Sequence, residues 1–366
     1  MKVILLVGGP RGGLDLFQSL LDGHEEILQF PGIIFVNNKL KEILSNKSQK
    51  KIARSFIKEY SSFFDSRKSK IERHYMLGEK KRQFYKVDKK KFVRKFISLS
   101  KKNSYKNKVF QNLYLLHMAY DQSIKNKKKK ILVINAHIIP FVFNFEKIFK
   151  DINFEIIHTI RHPLSAISST LKNWLKFKNG IYLKPKELYY NLETMVFGIQ
   201  ELKKLNKKIY IVQLENLHQK LNLVMQHFCK IYDLKFKNCL RKSTYHNLKW
   251  WGDRISGKDL NGINKKFKVS YDLNYFEEKD LSYFKYVLES ILRKYNYKIN
   301  FSRKAQLHLK PLKCELISWK KTIQNKQIKH SFSIFYFYIK RILKFNKFFI
   351  KNISLPNSIL LKNKII

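Results

Sequence analysis

The sequence predicts an α/β fold in which a parallel sheet is flanked by helices on both faces. Apolar runs typical of buried strands alternate along the chain with segments of helical periodicity, and this alternation predicts the parallel arrangement. The 366 residues, 44% of them hydrophobic, are enough to bury a large core. Strands are predicted near 3–7, 131–135, 154–160 and 209–214, and helices near 14–21, 109–124, 140–150, 163–177, 185–205, 218–231 and 277–294.

The first predicted strand leads through a glycine-rich loop into the first predicted helix. Residues 8–13 read Gly-Gly-Pro-Arg-Gly-Gly, and the helix is expected from Leu14. Glycines let the backbone approach an anion closely, and the start of a helix supplies backbone N–H groups for it. Arg11 adds a permanent positive charge and several donors. The loop therefore suits a phosphate or sulfate, although an ordinary strand–helix turn has similar glycines.

A second strand–helix unit ends its strand on an arginine. Residues 154–160 have a strand pattern, Arg161 follows them, and Pro163 suits the first turn of the next helix. Ser169 lies eight residues after Arg161. Because ligand sites in open α/β sheets lie at the carboxyl ends of the strands, we expect Arg161 and Ser169 to face one phosphate. Taken alone, Arg161 would be interpreted as a surface ion-pair partner.

These motifs resemble those of the sulfotransferases that use 3′-phosphoadenosine-5′-phosphosulfate (PAPS). The resemblance follows the family order over roughly residues 1–300, and it continues through LDGHEEILQFPG, through the strand and helix around Glu215 and through STYHNLKWWGDRISGKDLNGIN. It implies a P-loop-like sheet with PAPS as donor. The residues that it assigns to the 5′-phosphosulfate loop are Pro10, Arg11, Gly12, Gly13, Leu14 and Asp15, and those that it assigns to the 3′-phosphate are Arg161 and Ser169.

The loop departs from the family pattern P-[RK]-S-G-[TS]-[TS]. Gly12 replaces a serine, and Leu14 and Asp15 stand where hydroxyl side chains are usual. Two donors are lost, each worth roughly 1 kcal/mol or more when charge-assisted, and Asp15 has an unfavourable charge beside an anion. Weakened donor binding, or an inactive relative, follows as an alternative. Gly12→Ser combined with Leu14→Thr is expected to tighten donor binding.

The resemblance also implies a catalytic base. The segment ILVINAHIIPFVF, residues 131–143, resembles the family's K-T-H-x-P segment, with Asn135, Ala136 and His137 in register and Pro140 one place late. A neutral alcohol attacks sulfur poorly, so a base must take its proton, and His137 matches the family's base. Without the resemblance, a histidine after a strand is usually structural. Glu25 and Glu26 are the alternative bases, and His24 is expected to cap or pack.

The composition is unusually basic, with a formal charge of +48. Such a charge favours nucleic acid, acidic glycans or anionic lipid when it lies on one face, but a Lys- and Asn-rich compositional bias would also produce it. Residues 39–108 contain 24 Lys and Arg with helical periodicity, which predicts helices with solvated basic faces. The three cysteines and the scattered histidines predict neither a disulfide framework nor a metal site.

The predicted organisation is a sulfotransferase-like domain over residues 1–305, with a basic helical insertion or cover at 39–125, and a basic, aromatic extension at 306–366. Residues 330–352 are expected either to contact an anionic membrane surface or to pack on the domain. The opening residues do not resemble a secretory signal, and no apolar stretch of about 18 residues is present. A cytoplasmic protein, peripheral to the membrane at most, is therefore expected.

Together, these observations predict transfer of a sulfuryl group from PAPS to a hydroxyl acceptor on a carbohydrate or glycolipid, with no metal cofactor. Arg11 would stabilise the transferring group, and Arg254 and Lys258 would close over the nucleotide. A non-catalytic relative that binds an anionic nucleotide or glycan is the first alternative. A kinase is disfavoured because the loop lacks the G-x-x-x-x-G-K-[ST] pattern. A nucleic-acid binder would rest on charge alone.

Overall fold

The computed structural model describes residues 1–69, 76–102, 106–121, 129–176, 186–252, 262–298, 309–324, 328–345 and 358–360. Within these residues, six strands form the main sheet and two short strands form a separate antiparallel hairpin. The strands are β1 Lys2–Gly8, β2 Ile27–Leu28, β3 Ile131–His137, β4 Phe154–Ile160, β5 Ile209–Gln213, β6 Thr244–Tyr245, β7 Leu248–Lys249 and β8 Ser358–Leu360.

The main sheet has the order β2-β3-β1-β4-β5-β8, and every neighbouring pair is parallel. The strand β1 therefore lies between β3 and β4, and the chain moves outward from it on both sides. Crossovers on opposite sides of a strand leave a crevice at its carboxyl end, where open α/β sheets bind ligands. The glycine-rich loop and Arg161 follow β1 and β4 at this edge, and His137 is the last residue of β3.

Helices cover both faces of the sheet and add a cluster beside it. The described helices are α1 Leu14–Leu20, α2 Asn38–Leu44, α3 Gln49–Glu59, α4 Ser61–Phe64, α5 Lys89–Lys102, α6 Lys108–Tyr120, α7 Ile139–Ile148, α8 Pro163–Lys176, α9 Lys186–Glu193, α10 Ile199–Leu202, α11 Leu214–Gln219, α12 Leu221–Tyr232, α13 Glu278–Val287, α14 Glu289–Lys294, α15 Lys313–Gln324 and α16 Ile328–Lys344. Short 3₁₀ turns occupy Ser66–Lys68, Lys203–Leu205, Asn238–Arg241 and Leu273–Tyr275.

Alternating strand residues supply the two cores. On β1, Ile4 and Leu6 point into the core that α1 and α12 cover. Leu5 and Val7 point into the opposite core, to which α2 to α7 contribute. Alternate residues of a strand face opposite sides, so a strand buried on both faces is apolar throughout. The predicted parallel sheet with helices on both faces is therefore confirmed.

The described residues of the basic segment at 39–108 include amphipathic helices, as predicted. In α3 and α5 the core-facing positions are aromatic or aliphatic, such as Phe56, Phe92 and Phe96, all fully buried. The lysines of both helices lie mainly toward solvent. Much of the positive charge in this segment is thus a solvated helix surface rather than a buried site.

Three predicted helices are interrupted. The segment predicted as one helix over 185–205 passes through a π-helical turn at Thr194–Gly198, and that over 218–231 is broken at Lys220. The helix predicted over 277–294 is broken at Leu288. The two-residue β2 and the three-residue β8 were not predicted, because two or three apolar residues show no measurable period.

Candidate active site

A tight turn shapes the glycine-rich loop. The Gly12 N–H donates to the Gly9 carbonyl oxygen at 2.9 Å, which leaves Pro10 and Arg11 as the central residues of the turn. Arg11 has φ of 57°, in the left-handed region that most side chains avoid. A proline at the second position of a turn and a positive φ at the third position are typical of a type II turn. A left-handed arginine costs of order 1 kcal/mol, and such strain is found at functional sites.

Gly12 leaves no room for a side chain, which argues against the expected benefit of Gly12→Ser. A Cβ at Gly12 would lie 2.8 Å from the Thr159 carbonyl oxygen and 2.9 Å from that of Gly9, and both are backbone atoms. Leu14 is 6% exposed and belongs to the core beneath α1, so Leu14→Thr would remove packing there. Gly12 therefore packs directly against the backbone of β4, and Leu14 packs in the core.

The two predicted halves of the site meet. The Arg11 Nε–H donates to the Ser169 Oγ at 3.3 Å, across 158 positions of sequence. Ser169 lies on α8, which begins two residues after Arg161 at the end of β4. Burial lowers the pKa of Arg161, and the positive charge of Arg11 lowers it further, so the two cations interact. Two cations and a hydroxyl thus converge at the carboxyl edge of β1 and β4.

Glu215, which follows β5, stabilises the junction, the place where β4 leads through Arg161 into α8. Its Oε1 accepts a hydrogen bond from the His162 N–H at 2.8 Å, and its Oε2 accepts one from the Tyr297 hydroxyl at 3.1 Å. Glu215 follows β5 by two residues and is 7% exposed. Its charge partly offsets the burial that lowers the pKa of Arg161. The carboxylate therefore fixes the backbone next to Arg161 and balances part of the positive charge.

Several buried polar atoms around this edge have no hydrogen-bond partner among the described residues. They are the Nε of Arg161, the Nδ1 of His162, the Oγ of Ser165 and the Oγ1 of Thr159. The Arg161 Nε–H and the hydroxyls of Ser165 and Thr159 are donors, whereas His162 Nε2 donates to the Lys298 carbonyl oxygen and leaves Nδ1 as an acceptor. Buried donors without partners are costly, and a group of them indicates a place where a polar ligand completes the bonding. Their position at the start of α8 suits an anion, because the N-terminus of this 14-residue helix adds a favourable dipole.

Burial keeps the neighbouring histidines neutral. The pKa of His218 is lowered to about 4, mainly by burial and further by the charge of Arg161. Burial also lowers the pKa of His162. At neutral pH the local charge therefore comes from Arg11, Arg161 and Glu215, which leaves an excess of positive charge for an anionic ligand.

His137 ends β3 and lies beside the end of β1. The pairing of β1 with β3 is regular up to Leu6 and Asn135 and then shifts, so that Val7 lies opposite His137. His137 has φ of 64°, and its side chain is half-buried with no partner for the buried Nδ1 in the described chain. Bulges of this kind re-aim side chains next to active sites. The histidine is therefore one strand away from the loop that carries Arg11.

The alternative bases lie at the other edge of the sheet. Glu26 precedes β2, its carbonyl oxygen accepts the Lys130 N–H just before β3, and its carboxylate contacts Lys130 Nζ at 3.1 Å. Glu25 is ion-paired with Lys237, and the His24 Nε2 contacts the Lys235 carbonyl oxygen at 2.9 Å. Six strand steps separate this edge from His137, about 20 Å. Glu25 and Glu26 are therefore structural, and His24 packs as predicted.

The segment that follows the WWGD motif crosses the Arg161 side of the site. Phe267 lies with its ring centroid 5.9 Å from the Arg161 guanidinium and 4.6 Å from the His218 ring. The Asp272 N–H donates to the Ser168 Oγ at 2.9 Å and ties the segment to α8. Arg254 and Lys258, predicted to close over the nucleotide, lie outside the described residues. Phe267, His218 and Tyr297 were missed because no sequence spacing relates them to Arg161.

The described residues contain no group of three or more His, Cys, Asp or Glu side chains arranged to hold a metal ion. In the same part of the chain, no helix is both long and apolar enough to cross a membrane.

No family model and no curated protein matches this chain. Solved structures resemble it, and two of them are sulfotransferases. The sulfotransferase domain from the curacin biosynthetic pathway is 14% identical, covers 81% of this chain and 98% of its own length, and has a TM-score of 0.45. The sulfotransferase STF9 from Mycobacterium avium is 11% identical, covers 83% of this chain and 78% of its own length, and has a TM-score of 0.39.

Proposed function

We propose that this protein is a PAPS-dependent sulfotransferase whose acceptor is a hydroxyl group of a carbohydrate or glycolipid. The observation that carries the proposal is the contact between Arg11 Nε and Ser169 Oγ at 3.3 Å. The sequence motifs predicted a phosphosulfate loop and a 3′-phosphate pair separately, and nothing in their spacing required that they touch. A donor with a 5′-phosphosulfate and a 3′-phosphate on the same ribose needs the loop and the Arg161–Ser169 pair close together.

The residues of the site suit the steps of such a transfer. The acceptor oxygen attacks sulfur, the bond between sulfur and the phosphate oxygen breaks, and the proton of the hydroxyl passes to His137. Arg11, in the left-handed turn, stabilises the charge that develops on the transferring group and the leaving phosphate. Arg161 and Ser169 bind the 3′-phosphate, and Glu215 holds the junction that carries Arg161.

An aromatic surface next to β3 supports a sugar-bearing acceptor. Ile33 pairs with Asn135, which brings the following residues alongside the strand that ends in His137. Phe35 is 42% exposed, and its ring lies 6.0 Å from that of Phe141 and 6.5 Å from that of Tyr60. Exposed aromatic rings bind the apolar faces of sugar rings and acyl chains, and a binding pocket combines such surfaces with a few polar groups.

Nucleotide selectivity tests the donor. Adenosine 3′,5′-diphosphate, the product left after transfer, is expected to raise the melting temperature far more than 5′-AMP does, because ligand stabilisation follows affinity. Ser169→Ala should reduce the shift with the diphosphate and leave that with 5′-AMP unchanged. Thr170→Val is the control on the same helix, because the Thr170 hydroxyl donates to the Ala166 carbonyl oxygen within α8. Equal shifts from both nucleotides in the unaltered protein, or no shift from either, would refute the proposal.

A second candidate is a non-catalytic relative that binds the nucleotide without transfer. It is favoured by the loop, where Gly12 and the buried Leu14 offer no hydroxyl and the Gly12 N–H is already used by Gly9. The two candidates differ in the effect of Arg11→Ala. A catalyst should lose transfer in this variant, whereas a protein that still binds the diphosphate and shows no turnover in either form is a binding module.

A further inference from the structure

The helical hairpin of α15 and α16 has an apolar face that the domain does not cover. On α16 the side chains of Phe332, Phe335, Tyr336, Ile339 and Leu343 are 73%, 49%, 56%, 38% and 65% exposed. Their spacing of three and four residues puts them on one side of the helix. Leu316 and Ile323 of α15 are 42% and 61% exposed, and the Trp319 and Phe335 rings are 6.4 Å apart across the hairpin. A continuous apolar patch of this kind indicates an interaction surface.

The other side of α16 is anchored in the domain. Arg341 is fully buried, and its Nε and Nη2 donate to the two carboxylate oxygens of Glu315 at 2.7 and 2.8 Å. Phe345 is fully buried in the cluster formed with α8, α9 and α13, and Lys344 is ion-paired with Glu193. The orientation of the hairpin is therefore fixed, so its outward face is presented to solvent by the packing of its inner face.

The positive charge of the hairpin indicates which kind of partner would bind its apolar face. Residues 309–352 contain 11 Lys and Arg but a single acid, Glu315, which is already bound to Arg341. Lys320 is exposed between Leu316 and Ile323 on the outward face of α15. A second copy of this face would bring like charges together, which disfavours a symmetric dimer. An anionic lipid surface suits both the apolar face and the positive charge of the hairpin, because it accepts aromatic and aliphatic side chains below a layer of negative headgroups.

We propose that the outward face of α15 and α16 binds the surface of a bilayer that contains anionic lipid. The helices lie in the interface with Phe332, Phe335, Ile339 and Leu343 toward the acyl chains, and Lys320 meets the headgroups. This proposal does not depend on the identity of the donor or of the acceptor.

Vesicle binding by the full chain tests the proposal. The protein is expected to sediment with vesicles of phosphatidylcholine and phosphatidylglycerol and much less with phosphatidylcholine alone. Phe332→Glu with Leu343→Glu should lower the partition coefficient at least about tenfold, because it removes two apolar contacts and adds repulsion. The control, Phe84→Glu with Leu223→Glu, makes the same change of charge at two exposed apolar residues outside the hairpin and should bind as the unaltered protein does.

Two further measurements separate the other outcomes. Tryptophan emission should shift to shorter wavelength on anionic vesicles, and Trp319→Phe should abolish this shift. Equal losses in the test and control variants would mean that net charge alone drives binding, and this result would overturn the proposal. Equal binding to neutral and anionic vesicles would also overturn the proposal. A dimer in sedimentation velocity that dissociates in the variant with both Phe332→Glu and Leu343→Glu would do the same.

Discussion

The Glu215 carboxylate joins β5 to the start of α8 through a hydrogen bond of 2.8 Å from the His162 N–H. His162 directly follows Arg161, so the position of this arginine depends on a residue 54 places away in the sequence. The second carboxylate oxygen accepts a hydrogen bond from the Tyr297 hydroxyl; Glu215 is buried and Tyr297 is half-buried. Glu215 is therefore a positioning residue for the anion site as well as its counter-charge.

Glu215→Gln should lower the stability of the unliganded protein and increase its stabilisation by ligand. Without the carboxylate, Arg161 and Arg11 lack a nearby negative charge, which costs on the order of 1–3 kcal/mol at a partly buried site. A bound phosphate then replaces part of the missing charge, so adenosine 3′,5′-diphosphate should produce a larger rise in melting temperature than in the unaltered protein. Tyr297→Phe, which keeps the charge, should lower stability slightly and leave the ligand shift unchanged. A smaller shift in Glu215→Gln than in Tyr297→Phe would contradict this role.

Gly9 and Gly12 should respond differently to the same substitution. A Cβ at Gly9 would lie 3.7 Å from the Thr159 carbonyl oxygen, an ordinary contact, whereas a Cβ at Gly12 would lie 2.8 Å from that oxygen. Gly12→Ala should therefore cost about 1–3 kcal/mol of unfolding free energy, as overpacking does elsewhere, and Gly9→Ala should be close to neutral. Urea unfolding of the two variants measures the difference. Tighter nucleotide binding by Gly12→Ser, with unchanged stability, would contradict this steric role of Gly12.

His137→Ala should abolish transfer and leave nucleotide binding intact, because the base acts on the acceptor hydroxyl. A loss of about a hundredfold or more is expected for removal of a general base. The readout is release of adenosine 3′,5′-diphosphate from PAPS with a panel of sugars and glycolipids, beside a nucleotide thermal shift. Glu26→Gln, at the opposite edge of the sheet, should lower stability through its contact with Lys130 and retain turnover. Activity within a few-fold in His137→Ala would make this histidine structural.

The sequence predicted the sheet well because its strands are long and apolar on both sides. The runs at 3–7 and 154–160 correspond to β1 and β4 almost residue for residue, and they carry the loop and Arg161 to the same edge. The pair Arg11 and Ser169 could be predicted to share a site, since the carboxyl ends of parallel strands meet there. The local periodicity of each element contained this information.

The parts that could not be predicted depend on contacts distant in sequence. Gly12 was interpreted as a lost donor, because the sequence does not show that the Thr159 carbonyl oxygen lies against it. Glu215 and Tyr297 act through one hydrogen bond 82 positions apart. The alternative bases Glu25 and Glu26 were plausible until β2 set them at the amino edge of the sheet. In each case a single tertiary contact decided the role.

Acid should destabilise the protein before its carboxylates titrate, and His158 should account for a definite part of the effect. His158 is 1% exposed on β4, and neither ring nitrogen has a partner within the described ranges. Burial lowers its pKa from 6.5 to about 4, so the unfolded chain binds a proton that the folded chain does not. The contribution of His158 to the free energy of unfolding is therefore fully present above about pH 6.5. It is lost as the pH falls toward 4, and the loss is on the order of 3 kcal/mol. Urea unfolding at a series of pH values should show a shallower decline in His158→Met, and His227→Met, on the half-buried side of α12, is the control. An unchanged decline in His158→Met would mean that other groups, such as the buried His117 with its pKa lowered to about 3, account for the acid sensitivity.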